Sequence, residues 1–68
     1  MNKQTIIING TRFTVWAEST GIGIVLEDEK TNEKIGEVFT EAYDGNHVAH
    51  IYHNDSDTPN HSVEIERK

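Results

Sequence analysis

The sequence has no cysteine, one proline and one tryptophan. Without thiols there is no disulfide, no thiolate metal ligand and no cysteine nucleophile, and the chain suits a reducing compartment. Bases are scarce too: six Lys and Arg stand against twelve Asp and Glu, a net charge of −6. All twelve acids fall between Glu18 and Glu66, where Lys30 and Lys34 are the only bases, so that span alone carries −10. Such a body repels phosphate and has no basic patch with which to displace counterions, which argues against direct nucleic-acid binding. It suits a partner protein with a basic surface, although an acidic exterior also simply keeps a small domain soluble.

Long apolar runs are missing as well. Behind Met1-Asn2-Lys3 the only such run is Ile6-Ile7-Ile8, against roughly 7–15 residues for an export signal and about 20 for a membrane-crossing helix. A cytoplasmic location without membrane contact is therefore expected. No glycine-rich loop precedes a helix, and no serine sits in a nucleophile elbow, so neither catalysis nor a cofactor is expected. A sheet of this size also lacks the enclosed pocket that keeps water from a catalytic group.

What is present is a regular punctuation. Turn residues recur at Asn9-Gly10, Ser19-Thr20-Gly21, Glu29 to Glu33, Asp44-Gly45-Asn46 and Asn54 to Asn60. Between them run TIII, TRFTVWA, GIGIVLE, KIGEVFT, HVAHIYH and SVEIE, segments rich in β-branched and aromatic residues. This pattern predicts an all-β chain: one small domain over 1–68, an antiparallel meander of five or six short strands, barrel-like or strongly twisted. So small a core gains margin from a partner subunit, and a homodimer is expected. Within 40–53 a short helix capped by Thr40 competes with strands. The Asp44-Gly45-Asn46 breakers and the alternation of HVAHIYH favour strands.

Asn9-Gly10 reads as a type I′ turn, which needs positive φ at both positions. Ile6 then faces Phe13 and Ile7 faces Arg12. One sheet face carries Ile6, Ile8, Phe13 and Val15, the expected core. The other carries Thr5, Ile7, Arg12, Thr14 and Trp16. Tryptophan and arginine are enriched where proteins bind one another, so Ile7, Arg12 and Trp16 are the expected contact residues, with Tyr43 and Tyr52 next. The bland alternative is a strand or loop of the same chain folded over Trp16. For the second hairpin two registers compete. A four-residue turn over Glu29–Asn32 opposes Ile24 to Glu37, and a three-residue turn opposes it to Val38.

Histidines 47, 50 and 53 are evenly spaced, yet on a strand His50 faces away from the other two, which lie roughly 20 Å apart. Zinc needs its nitrogens within about 2.1 Å, so the triplet is no metal motif. His53 and His61 instead flank the last hairpin loop, where Asp55 and Asp57 would complete a two-histidine carboxylate site. The bland alternative there is an exposed polar loop. Protonating all four histidines would carry the net charge from −6 towards −2, so affinity for a basic partner is expected to fall as pH drops from about 7.5 to 5.5.

Function is thus expected to be binding: an acidic protein that docks on a macromolecular partner and inhibits or modulates it. Phages and mobile elements use small acidic inhibitors of this kind against host nucleic-acid-binding or defence proteins, a class-level analogy that no motif supports. Two rival readings are a metal-binding domain centred on His53 and His61, and a nucleotide or sugar binder with its pocket at a dimer seam around Trp16.

Overall fold

The computed structural model describes residues 2–66, with the side chain of Tyr43 outside the described set. Six strands follow one another: β1 (Lys3–Ile8), β2 (Thr11–Ala17), β3 (Ile22–Asp28), β4 (Lys34–Tyr43), β5 (Asn46–His53) and β6 (His61–Glu66). They form one antiparallel sheet in chain order. Each strand touches only its sequence neighbours, so β1 and β6 never meet. The expected all-β meander is present, as an open sheet rather than a barrel, and no helix forms within 40–53.

Two of the turns are built alike. Asn9 and Gly10 adopt φ of 50° and 81°, and Asp44 and Gly45 adopt 50° and 80°. Left-handed backbone at both central positions gives the twist that lets strands leave a two-residue turn already paired. The expected register follows, with Ile8 opposite Thr11 and Ile6 opposite Phe13. The second such turn is what extends β4 to Tyr43 and starts β5 at Asn46, at the expense of the competing helix.

The β3–β4 hairpin adopts both candidate registers. Near its turn Glu27 faces Lys34, as a four-residue connection requires. The Asp28 carboxylate accepts the backbone N–H of Lys30 at 2.9 Å and of Thr31 at 3.0 Å and holds that turn closed. A bulge between Leu26 and Glu27 then shifts the pairing by one residue, so that Ile24 meets Val38 and Val25 meets Glu37. The physical gain is clear: without the bulge Glu37 would stand on the apolar face opposite Ile24.

Opposed residues share a face, so the ladder sorts the whole chain into two sides. Phe13, Val15, Ile24, Leu26, Val38 and Ile51 occupy one, with Ile6 and Ile8 at one edge and Val63 and Ile65 at the other. Trp16, Val25, Phe39, His50 and Tyr52 occupy the other, among nearly all the charged residues of the strands. The expectation that Ile6, Ile8, Phe13 and Val15 form a sealed core is corrected here. Ile6 is 57 % exposed and Ile8 51 %, Phe13 and Val15 are half-buried, and Val48 is the one buried hydrophobic side chain among the described residues. A single sheet layer cannot enclose its own apolar face; that takes a second layer.

Candidate functional site

On the Trp16 face the site begins with a glycine. Gly23 on β3 lies between Trp16 on β2 and Phe39 on β4 in the same cross-strand row. A Cβ at Gly23 would collide with ring atoms Cζ2 and Cε2 of the indole. Its absence lets Trp16 lie down across β3 and reach the phenyl ring beyond. The ring centroids of Trp16 and Phe39 are 5.8 Å apart at 80°, and those of Phe39 and Tyr52 are 5.9 Å apart at 84°. Both pairs are edge-to-face, the arrangement that the aromatic quadrupole favours. Three rings thus cross four strands as one row.

Charge surrounds this row. The indole N–H of Trp16 donates to the Glu18 carboxylate. The Lys3 ammonium lies over the Trp16 ring, 4.9 Å from its centroid, a cation–π arrangement. Glu37 faces Tyr52 across the β4–β5 ladder and receives Lys34 Nζ at 2.5 Å. That bond raises the Lys34 pKa above its ordinary 10.5. Beside Phe39, His50 is held from two sides: Nε2 lies 2.7 Å from Glu41 Oε2 and Nδ1 lies 3.0 Å from Ser62 Oγ. A carboxylate only accepts, so Nε2 donates to Glu41, while Nδ1 and the Ser62 hydroxyl share the second bond. This serine–imidazole–carboxylate row is the kind that activates a nucleophile. Yet the His50 and Glu41 side chains are 26 % and 46 % exposed, so water reaches both, and the row orients the ring while tying β6 to β4.

A shallow pocket of about 210 Å³ opens at the end of the aromatic row, lined by Glu18, Thr20, Phe39, Glu41 and His50. It pairs an aromatic floor with two carboxylate walls and is of a size to take one long cationic side chain. The larger opening, about 440 Å³ between Asn32, Glu33, Lys34, Asn54 and Asp55, is lined by polar residues and holds no aromatic ring.

Of the expected contact residues, the structure brings Trp16 and Tyr52 together through Phe39. Ile7 and Arg12 face each other at the other end of the first hairpin, away from the row. Arg12 is already engaged, with Glu27 at 3.0 Å and the Asn32 side-chain oxygen at 3.0 Å. The side chain of Tyr43 lies outside the described residues. Phe39, the centre of the row, escaped the sequence reading because its face depends on the bulge; Gly23, opposite the only tryptophan, was the available signal. Ser19 and Thr20, which line the pocket with Glu18, read as plain turn residues.

The expected His53–His61 pairing forms, with ring centroids 5.0 Å apart, although the backbone partner of His61 is Ile51. The rest of that site does not assemble. Among the described residues no three His, Asp or Glu side chains come close enough to hold a metal ion, so Asp55 and Asp57 do not complete it. The loop is organised differently: Asn60 Oδ1 accepts the His53 backbone N–H at 2.7 Å, and Ser56 Oγ donates to the Thr58 carbonyl at 2.7 Å. Among the described residues no helix is long and apolar enough to cross a membrane. No protein-family profile, curated protein or solved structure matches the chain.

Proposed function

We propose that this protein is a non-catalytic binding domain whose Trp16 face docks on a basic surface of another protein and thereby blocks or modulates it. The observation that carries the reading is that the indole already holds a cation, its own Lys3, beside an acidic pocket floored by Phe39. An arginine from a partner would replace Lys3 over the ring or enter between Glu18 and Glu41, where aromatic faces and carboxylates suit a flat, weakly hydrated guanidinium. Large rigid rings at the centre and charges at the rim is the anatomy of a protein-binding hot spot. The surrounding acids add long-range attraction, which speeds encounter more than it strengthens the final complex.

Trp16 is the only tryptophan, so its fluorescence reports the site directly. Titration with an arginine-rich peptide is expected to give a saturable change that Glu41→Gln weakens about tenfold, the size of one close charge pair. A glutamate-rich peptide of equal length is expected to give none. Identical responses from wild type and Glu41→Gln, or no saturation, would remove the reading. A nucleotide or sugar that saturates the same signal would favour the small-ligand alternative.

A further inference from the structure

The opposite face has a separate use. We propose that the Phe13 face is a self-association surface, on which a second copy of this chain packs to make a two-sheet sandwich. This goes beyond the docking role, because it leaves the Trp16 face of each copy outward and free.

Two observations select a second copy as the occupant. The first is charge. Of all strand residues on the Phe13 face only Asp28, at the tip of β3, is an Asp, Glu, Lys or Arg. Its three imidazoles, His47, His53 and His61, stand at strand ends. The lysines, arginine and glutamates of the strands lie on the other side. A chain with net charge −6 meets its own copy without close like-charge repulsion only through such a face, whereas a charged partner would find nothing there to pair with.

The second is area. The chain exposes 5087 Å², while a folded monomer of 7.7 kDa is expected near 4,300 Å². The surplus of roughly 750 Å² is close to the ~800 Å² that each partner contributes to a standard interface. Geometry gives the same order: six strands ~4.8 Å apart and about seven residues long make a face of roughly 600 Å² before side-chain relief. The apolar side chains left most open on it, Ile6, Ile8, Ile22, Val63 and Ile65, are 41–64 % exposed. They line its margins, where a second sheet ~10 Å away would cover them.

Ile6 and Ile7 provide the test. They are neighbours on edge strand β1, 57 % and 50 % exposed, and point to opposite faces. Sedimentation equilibrium of the full chain is expected to show reversible association to twice the protomer mass. Ile6→Glu should raise the dissociation constant by more than about tenfold, because it buries an unpaired charge in the seam. Ile7→Glu should leave it within about threefold, as expected for a site outside the contact. If Ile6→Glu unfolds the chain and Ile7→Glu does not, the proposal also stands, since a half-exposed site in a free-standing monomer would tolerate the charge. It falls if the wild type stays monomeric up to millimolar concentration, or if species larger than dimers dominate. It falls equally if both variants weaken association alike, which would indicate pairing through the β1 edge. The arginine-peptide response of Trp16 should survive Ile6→Glu, so failure of this inference and failure of the docking reading are distinguishable.

Discussion

The two faces of the sheet solve the same problem in different ways. On the Trp16 face the chain covers its own apolar surface: the indole lies over Gly23, Phe39 bridges Trp16 and Tyr52, and Lys3 covers the outer side of the ring. Charged side chains there are tied to one another, as Arg12 is to Glu27 and Lys34 to Glu37. On the Phe13 face the central side chains are half-buried, while Ile6, Ile8, Val63 and Ile65 at its two edges are 46–64 % exposed. A large ring can fold flat over a glycine, whereas branched aliphatic side chains stand upright from the sheet and need a second layer. Most of the exposed aliphatic side chains, Ile6, Ile8, Ile22, Val63 and Ile65, therefore lie on the Phe13 face, with Ile7 exposed on the other.

The largest expected effect comes from spoiling the finished face at its hinge. Gly23→Ala forces the indole off β3 and should cost about 1–3 kcal/mol, the usual range for overpacking. Chemical denaturation measures the loss, and a red shift of Trp16 emission reports the displaced ring. Unchanged stability and emission would mean that Trp16 does not rest on Gly23. The oligomer mass should not change, because the alteration lies on the far side from the proposed seam.

Next comes the imidazole row. Ser62→Ala removes the hydroxyl hydrogen-bonded to His50 and loosens β6, yet the group is exposed. The cost should stay within about 1 kcal/mol, typical of a single hydrogen bond. A loss several times larger would mark the row as a structural clasp and blur the contrast between the faces.

The smallest effect concerns the turn. Hydrogen bonds from the backbone N–H of Thr31, and then of Lys30, hold the Asp28 carboxyl below its ordinary value of 3.8. A depressed acid stabilises the fold above its unfolded-state value and loses that contribution as pH falls through the folded-state value. Stability should therefore decline below about pH 3.8 with a small component that Asp28→Asn abolishes. An identical acid limb in the two proteins would show that these bonds contribute nothing.

Much of this was legible in the sequence. Asn9-Gly10 and Asp44-Gly45 announce their turns because few residues adopt left-handed backbone, and the alternation in TRFTVWA and HVAHIYH announces strands. The two-sided character of the first hairpin follows from that turn alone, and it placed Trp16 opposite Phe13 correctly. The second hairpin was not legible, since a bulge depends on which slipped pairing buries more, and Ile24 cannot be matched to Val38 from local pattern. Phe39 was lost with it. Arg12 reads in the sequence as a contact residue, and the fold adds Glu27 and Asn32 from distant segments as its partners. His53 and His61 came together as spacing suggested, while the loop carboxylates went elsewhere because Asn60 closes that loop through the backbone.

Local chemistry, then, settled the strands, the tight turns and the acidic, thiol-free character of the chain, because each depends on residues a few positions apart. Only the assembled sheet decided that Trp16, Phe39 and Tyr52 form one row, that Ser62 joins the pair of Glu41 and His50, and that Ile6, Ile8, Val63 and Ile65 stay exposed around Phe13. Those outcomes depend on register across three or more strands, where a slip of one residue exchanges the two faces.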